Sequence, residues 1–286
     1  MNNYRIFTDS SCDLSKEELI KRGVIALPLT FRFDGDGKEY DNYSMPIGEF
    51  YNRMREGGVA KTAAVNTEVF SEAFKAALSE GDDILYIGFS SGLSTTYNSA
   101  RIAAEELKEQ FPDRQIYTVD TLAASAGVAL LIDLVIKKKD EGATLKEAAE
   151  YAEAMKLKIA HWFTVDDLVY LKRGGRVSAA AAFFGNLLAI KPVLHVDNEG
   201  HLTPVSKSRG RHASILAMAD RLGSTIDEGS PVYISHSDAL ADAEKLASII
   251  ETKYGYKVGL ITDVGPVIGA HSGPGTLALF FVGSQR

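Results

Sequence analysis

Residues 4–22 of the chain read YRIFTDSSCDLSKEELIKR, and this stretch indicates the kind of fold to which the chain belongs. Residues 4–8 are apolar and β-prone, and the polar triplet Asp-Ser-Ser at 9–11 ends that strand. Ser15 and Glu18 then have the spacing of a capping box, which opens a helix before the next apolar residues. The stretch therefore predicts a strand, a polar loop and a helix, the repeating unit of an α/β fold.

The same alternation continues through the first half of the chain. Strands are predicted over 24–29, 84–87 and 116–119, and helices over 69–78, 97–107, 122–136 and 143–159. The sequence Asp-Gly-Asp-Gly at 34–37 predicts a hairpin, and a helix is predicted after Ser44 with Pro46 in its first turn. Strands separated by helices predict a mostly parallel, Rossmann-like sheet with helices on both faces.

The second half has a different rhythm and predicts a second domain. At 286 residues the chain exceeds the length at which one hydrophobic core usually stops growing. We place the boundary between an N-terminal domain, 1–160, and a C-terminal domain, 161–286. Two predicted strands flank the turn at 197–200, and helix–strand–helix–strand follows over 215–262. The fold class is therefore α/β, with two three-layer α/β/α domains, the second built on a mixed sheet.

Composition narrows the classes of function. A net charge of −7 disfavours nucleic acid as a partner, because nonspecific binding to phosphates requires clustered Lys and Arg. The single cysteine, Cys12, and the absence of a secretory pattern at the start predict a cytoplasmic protein. The most apolar stretch, 122–136, contains Asp133 and is shorter than the ~20 residues of a membrane span, so no stable membrane insertion is expected. No metal-binding motif is present, and no metal site is predicted.

Polar residues that follow strands are the candidates for a binding site in the first half. The run at 89–96, Phe-Ser-Ser-Gly-Leu-Ser-Thr-Thr, ends a predicted strand and opens a helix. Its hydroxyl groups and free backbone N–H groups can converge on an anion. A carboxylate held by Ser94 and Thr62 is one interpretation, and a simple helix cap by Ser94 or Thr95 is the other.

Arginines and a glycine-rich loop are the candidates in the second half. Arg173 and Arg176 flank a glycine pair and suit bidentate contacts with carboxylate or phosphate, although two surface arginines around a turn would have the same sequence. The segment 265–276 has four glycines, two prolines and the lone histidine His271, which is either functional or packed against the loop. The histidines that we interpret as structural are His161, His195 and His212, whereas His236 stays open.

The ordered set of these motifs closely resembles the DegV family over essentially the whole chain. The motifs are Ile-Phe-Thr-Asp-Ser-Ser-Cys-Asp-Leu at 6–14, Ser-Ser-Gly-Leu-Ser at 90–94, Leu-Lys-Arg-Gly-Gly-Arg at 171–176, Lys191-Pro192, Arg209-x-Arg211 and the 265–276 loop. The resemblance implies two α/β domains that bury a long-chain fatty acid as ligand, with no cofactor. It implies a carrier without catalytic activity that presents the acid to a separate fatty acid kinase, which makes acyl phosphate for phospholipid synthesis.

The resemblance also implies roles for individual residues. Thr62 and Ser94 would hydrogen-bond the carboxylate, with His271 nearby. The supporting loop residues would be Ser91, Gly92, Thr95, Gly273 and Thr276, and the residues that face the kinase or the phosphate would be Arg173, Arg176 and Arg209. The carboxylate loops would belong to the N-terminal domain, and the acyl-chain pocket and kinase-facing loops to the C-terminal domain.

The chain departs from the family pattern at two places, and two other functions remain open. The family usually has Thr-Ser-Gln-Pro-Ser where this chain has Thr-Ala-Ala-Val-Asn at 62–66, and Gly-Leu-Ser-Gly-Thr where it has Gly-Leu-Ser-Thr-Thr at 92–96. The first alternative function is a Ser/His acyl hydrolase that uses Ser94 and His271. The second is a phosphate-ligand protein built on Arg173, Arg176 and the 265–276 loop.

Overall fold

The computed structural model describes residues 3–177 and 190–286. The strands are β1 (Tyr4–Asp9), β2 (Val24–Leu27), β3 (Thr30–Phe33), β4 (Tyr40–Asp41), β5 (Ala60–Ala63), β6 (Asp83–Gly88), β7 (Ile116–Asp120), β8 (Ile159–Thr164), β9 (Ile190–Val196), β10 (Leu202–Arg209), β11 (Val232–His236), β12 (Val258–Asp263) and β13 (Leu277–Val282). The helices are α1 (Lys16–Arg22), α2 (Ile47–Arg55), α3 (Thr67–Ser79), α4 (Thr96–Gln110), α5 (Ala126–Asp140), α6 (Leu145–Met155), α7 (Val169–Gly174), α8 (Arg211–Thr225), α9 (Leu240–Tyr254) and α10 (Pro266–Ser272).

A four-stranded parallel sheet in the order β2-β1-β6-β7 forms the core of the first half. Successive side chains of a strand point to opposite faces. Phe7 and Tyr86 therefore pack with α3 and α4 on one face, and Ile6 and Leu85 pack with α5 and α6 on the other. The predicted parallel sheet with helices on both faces is confirmed.

A six-stranded mixed sheet in the order β10-β9-β8-β13-β11-β12 forms the core of the second half. Strands β11 and β12 are parallel, and the other neighbours are antiparallel. The predicted mixed sheet is confirmed, but its strands β8 and β13 have no counterparts among the predicted strands. All six residues of β13 are buried, so the strand is a continuous apolar run without the alternation that marks a half-exposed strand.

Helix α5 lies between the two large sheets and belongs to the packing of both. It contacts β6 on one side and β8, β11 and β13 on the other. Residues 126–132 are all buried as a consequence. The layers therefore run from α3 and α4 through the four-stranded sheet, α5 and the six-stranded sheet to α8 and α9. The boundary at 160/161 stays a prediction, and it falls inside β8, which begins at Ile159.

Two helices have bounds that differ from those predicted. The helix predicted over 122–136 begins at Ala126, because Leu122 and Ser125 have φ values of 53° and 56°, which no right-handed helix allows. The helix predicted over 143–159 ends at Met155, is followed by a 3₁₀ turn over Lys156–Lys158, and gives way to β8. Both errors lie at helix ends, where side-chain periodicity is least informative.

A three-stranded antiparallel sheet in the order β4-β3-β5 covers one end of the molecule together with α2. The predicted hairpin at 34–37 connects β3 and β4 and is confirmed. Tyr51 of α2 donates a 2.7 Å hydrogen bond to the carbonyl oxygen of Val264 and so joins this small sheet to the second half. Thr62 lies within β5, opposite Phe31, and does not follow a strand as the sequence had indicated.

Across residues 3–177 and 190–286, no helix combines the length and the apolar character that crossing a bilayer requires.

Candidate ligand-binding site

A cavity of about 450 Å³ lies between the inner face of the six-stranded sheet and the loops of the first half. Sites for small molecules typically have volumes of roughly 300–1,000 Å³. Most of its wall is apolar, and the polar side chains are concentrated in a few places. The polar residues on the wall are Thr62, Ser91, Ser94, Thr95, Ser125, His161, Arg176, Ser235, His271, Ser272 and Thr276.

Thr62 and His271 form the first polar centre of this wall. Thr62 is on β5 and His271 is on α10, 209 residues later, and the Oγ1 and Nε2 atoms are 2.8 Å apart.

Helix α10 occupies most of the segment 265–276, so this segment is not the loop that its composition predicts. Pro266 occupies the first turn of α10, where its fixed φ suits a helix start and its missing N–H costs nothing. Gly273 ends the helix with a φ of 82°.

The glycine pair of the Arg-Gly-Gly-Arg motif makes room for His271. A Cβ on Gly174 would lie 2.4 Å from Nδ1 of the imidazole, well inside contact distance. Gly175 has a φ of 69° and caps α7 with its backbone N–H. Glycine at 174 thus allows the close approach of His271, and glycine at 175 allows the left-handed backbone conformation.

His271 is neutral at physiological pH. Burial, and secondarily the nearby Arg176 guanidinium, lowers the pKa of His271 to about 4. The Nδ1 atom is buried without a hydrogen-bond partner among the described residues. A neutral imidazole has one N–H donor and one acceptor nitrogen, so it can hydrogen-bond an anion without itself carrying a positive charge.

Ser94 forms the second polar centre, at the N-terminus of α4. Its Oγ atom accepts a 3.2 Å hydrogen bond from the Thr96 N–H and lies 2.9 Å from the Thr96 hydroxyl oxygen. The N-cap position is Thr95, whose side chain makes no capping hydrogen bond. Ser94 lies one residue earlier, accepts from the first N–H of the helix and also lines the cavity. The role of Thr62, Ser94 and His271 in holding a carboxylate stays a prediction.

The supporting loop residues fall into two groups. Ser91, Thr95 and Thr276 line the cavity, whereas Gly92 and Gly273 shape the backbone behind it. A Cβ on Gly92 would lie 2.7 Å from the Glu199 carbonyl oxygen, and one on Gly273 would lie 2.3 Å from the ring of Tyr170.

The three arginines do not come together at the cavity. Arg176 lines it and donates from Nε to the Leu93 carbonyl oxygen at 3.3 Å. Arg173 is exposed over the ring of Tyr170, with 5.6 Å between the guanidinium carbon and the ring centroid. Arg209 is exposed at the end of β10. Only Arg176 of the three is part of the wall.

Sequence reasoning missed four polar wall residues, which are Ser125, Ser235, Ser272 and His161. Ser272 follows His271 directly, and its Oγ atom is buried without a partner among the described residues; its position in the glycine-rich motif was the available signal. His161, which we had interpreted as structural, also lines the cavity. No local signal marks His161, because alternation along a strand does not reveal which face meets a cavity.

His236 and His195 make contacts that indicate a structural role. His236 is buried, accepts a 3.3 Å hydrogen bond from the Ala239 N–H and lies 3.5 Å from Asp263. His195 stacks on Trp162, with ring centroids 5.5 Å apart. Neither lines the cavity. Among the described residues, no group of three or more His, Cys, Asp or Glu side chains is arranged to hold a metal ion.

The arrangement favours binding over the two alternative chemistries. A Ser/His nucleophile requires a hydrogen bond between the two side chains, but Ser94 bonds Thr96 and His271 bonds Thr62. A phosphate site would require several converging cations, and Arg176 is the one Lys or Arg on the wall among residues 3–177 and 190–286. What remains is a set of hydroxyls and a neutral imidazole on the wall of a mostly apolar cavity.

Comparison with known proteins assigns the chain to a group. The family model described as "Uncharacterised protein, DegV family" matches residues 3–284. A DegV domain-containing protein of Clostridium perfringens is 43% identical over 100% of this chain and 99% of its own length. The solved structure of a fatty-acid-binding DegV family protein from Thermus thermophilus superposes with a TM-score of 0.87 at 30% identity, covering 98% of this chain and 99% of that one. That of a stearic acid-binding protein from Eubacterium ventriosum has a TM-score of 0.89 at 26% identity and covers 98% of both chains.

Proposed function

The chain belongs to the DegV family, and we propose from this premise that it binds a long-chain fatty acid in the cavity between the six-stranded sheet and the loops of the first half. The observation that carries the proposal is the cavity itself, which is apolar along most of its wall and has Thr62, Ser94 and His271 among its polar residues. The related fatty-acid-binding protein from Thermus thermophilus and stearic acid-binding protein from Eubacterium ventriosum support the same ligand class.

The apolar part and the polar part of the wall each suit one part of a fatty acid. Burial of about 15 methylenes at ~0.8 kcal/mol each contributes on the order of 12 kcal/mol before the costs of ordering the chain. A buried carboxylate is unfavourable by several kcal/mol unless its oxygens are hydrogen-bonded. We propose that Thr62, Ser94 and His271 supply these hydrogen bonds, and we add Ser272, whose hydroxyl has no other partner among the described residues.

We further propose that the chain presents the carboxylate to a separate fatty acid kinase and has no catalytic activity of its own. Hydroxyl donors leave the carboxylate oxygens nucleophilic, whereas a tight arginine fork would neutralise them. Arg176 at the cavity and the exposed Arg173 and Arg209 would face the kinase or the transferred phosphate. The acyl phosphate would enter phospholipid synthesis, and the expected compartment is the cytoplasm.

Ligand identification tests the binding proposal. Native mass spectrometry of gently purified protein is expected to show a mass excess that organic extraction identifies as a fatty acid. Delipidated protein is expected to bind added palmitate or oleate. Protein that carries no lipid and ignores both added acids would refute the proposal.

The presentation step has its own test. Loaded protein, ATP and a candidate fatty acid kinase are mixed, and acyl phosphate is measured with and without the carrier. Carrier-dependent product is expected, and it should decrease for Arg176→Ala. Hydrolysis of aryl esters by the carrier alone, abolished in Ser94→Ala, would contradict the absence of catalysis and favour the hydrolase.

A further inference from the structure

Buried polar side chains interrupt the apolar wall deep in the cavity, and most of them are paired with each other. The hydroxyl oxygens of Ser125 and Ser235 are 2.8 Å apart, and Ser125 also donates to the carboxyl group of Asp13. These groups need no ligand. His161 differs, because its Nε2 atom is buried without a hydrogen-bond partner among the described residues.

The hydrogen bond on the other side of the ring defines the state of His161. The Nδ1 atom lies 2.8 Å from the carbonyl oxygen of Ile159, which can only accept, so Nδ1 carries the proton. Burial first, and the charge of Arg286 second, holds the pKa of His161 well below its usual value. The ring is therefore neutral, and Nε2 is an acceptor with a free lone pair.

The ring is held firmly in this orientation. His161 is 2% exposed and meets Phe280 edge to face, with ring centroids 5.3 Å apart. A Cβ on Gly127 would lie 2.2 Å from Nε2, so the glycine in the first turn of α5 is what allows the ring to lie there. The cavity wall therefore has an imidazole with an unpaired acceptor at this position. An apolar side chain in the same place would leave no acceptor unpaired.

The position of His161 along the cavity indicates which part of a ligand it meets. Thr276, which donates to the carbonyl oxygen of Ser272, precedes β13 on the side of His271. Phe280, four residues further, is the register partner of His161. Four residues of strand span about 13 Å, so His161 lies well away from the head-group end, beside the interior carbons of a bound chain.

An unmodified hydrocarbon chain satisfies this site poorly. Its methylenes displace water but donate no hydrogen bond, and a buried acceptor without a partner is unfavourable. A hydroxyl group on the chain supplies the missing donor. A site that is built around a hydrogen bond to a ligand hydroxyl also discriminates against analogues that lack it.

We propose that the preferred ligand is a long-chain fatty acid with a hydroxyl group on an interior carbon, whose O–H donates to Nε2 of His161. This inference rests on the proposed function and specifies its ligand class. No covalent step is involved.

Three ligands test the inference on the full, delipidated chain by calorimetric titration at neutral pH. They are stearic acid, stearic acid hydroxylated in mid-chain, and stearic acid hydroxylated next to the carboxyl group. The mid-chain isomer is expected to bind about tenfold or more tightly than either of the others, the ratio that one buried hydrogen bond provides. Equal or weaker binding of the mid-chain isomer overturns the inference.

The variant His161→Leu sharpens the test, because it removes the acceptor and leaves an apolar wall. It is expected to bind stearic acid at least as tightly as the natural protein and to lose the preference for the mid-chain hydroxyl. The matched control is His195→Leu, a histidine on the neighbouring strand that does not line the cavity, which should keep the preference. Retention of the preference in His161→Leu overturns the inference.

The outcomes separate this inference from the proposed function. Binding of stearic acid without any preference for the hydroxyl refutes only the inference. Failure to bind all three acids refutes both. If His161→Leu does not fold, the comparison of the two hydroxylated isomers on the natural protein decides alone.

Discussion

Thr62 and His271 are joined by one 2.8 Å contact between atoms that lie far apart in the sequence. Thr62 comes from the small sheet and His271 from α10, so this contact exists only when both halves are folded. The neutral imidazole and the hydroxyl together provide donors that a carboxylate can use. Two predictions follow at the scale of these residues.

Thr62→Val is expected to weaken fatty-acid binding while leaving the fold intact. Valine has a similar shape and suits a strand, but it removes a hydrogen bond to a charged group, which contributes about 1.5–3 kcal/mol. The dissociation constant from titration with palmitate should rise about 10- to 100-fold. Thr30→Val is the control, because Thr30 is on the adjacent strand, bonds Glu39 and does not line the cavity. Equal affinity of both variants would remove Thr62 from the site.

His271→Gln is expected to make stability less sensitive to acid. The pKa of His271 is about 4 in the folded chain and about 6.5 when unfolded. Between these values the unfolded chain binds more protons, so the free energy of unfolding decreases as pH falls from 6.5 to 4. This residue accounts for about 1–3 kcal/mol of that decrease. Chemical denaturation at several pH values measures it.

His271→Gln should lose only the acid sensitivity that His271 contributes. His161, whose pKa is also lowered, makes a contribution of the same sign, and this contribution is present in both proteins. Asp13, whose pKa is raised to about 8, has the opposite sign, because its folded form retains a proton that the unfolded form loses. An unaltered slope in His271→Gln would mean that its imidazole titrates normally.

At the scale of elements, most of the architecture followed from the sequence, and the exceptions share a cause. The alternation of strands and helices predicted both large sheets. Glycine and proline are frequent in the segment of α10, and this composition predicts a loop. Gly269 packs against Tyr51, and Gly174 of α7 packs against His271, and these contacts hold α10 as a helix. Strand β13 lacks alternation because both of its faces are buried. Tertiary packing decided each case, and local sequence does not carry that information.

The site was predictable to a similar extent. Ser94, His271 and Arg176 stood out as polar residues near strand ends or in glycine-rich motifs. Ser272 and His161 did not, because their importance comes from missing hydrogen-bond partners. A sequence shows which side chains can donate or accept, but only the fold shows which of them remain unpaired.

Gly174→Ala tests how closely α7 and α10 fit together. Alanine normally favours a helix over glycine by about 1 kcal/mol, but here its Cβ would meet Nδ1 of His271. The variant is expected to be less stable than the natural protein in thermal unfolding and to bind fatty acid more weakly. Gly48→Ala is the matched control, since Gly48 lies in α2 with open space around it. That change should be neutral or stabilising, and equal stability of the two variants would contradict the close approach.

At the scale of the whole molecule, α5 joins the two large sheets into one cooperative structure. Leu131 in this helix is fully buried, and Leu131→Ala is expected to reduce the free energy of unfolding by about 2–5 kcal/mol. Both sheets should lose stability together. The fluorescence of Trp162, the only tryptophan, reports on the six-stranded sheet, and amide hydrogen exchange of β1 and β6 reports on the four-stranded sheet.

The two readouts are expected to give the same unfolding free energy in the natural protein and the same decrease in the variant. Ile20→Ala is the control, because Ile20 is 79% exposed on α1 and surface changes usually stay within about 0.5 kcal/mol. A decrease seen by one readout alone would mean that the sheets unfold independently.

The shared helix also determines how a buried ligand is exchanged. Because α5 packs against both large sheets, the halves cannot swing apart about a hinge without exposing its buried residues to water. The proposed ligand would therefore enter and leave by local opening of the wall at the solvent-facing Thr95 and Arg176. Such an opening would let a fatty acid pass while both large sheets stay packed on α5.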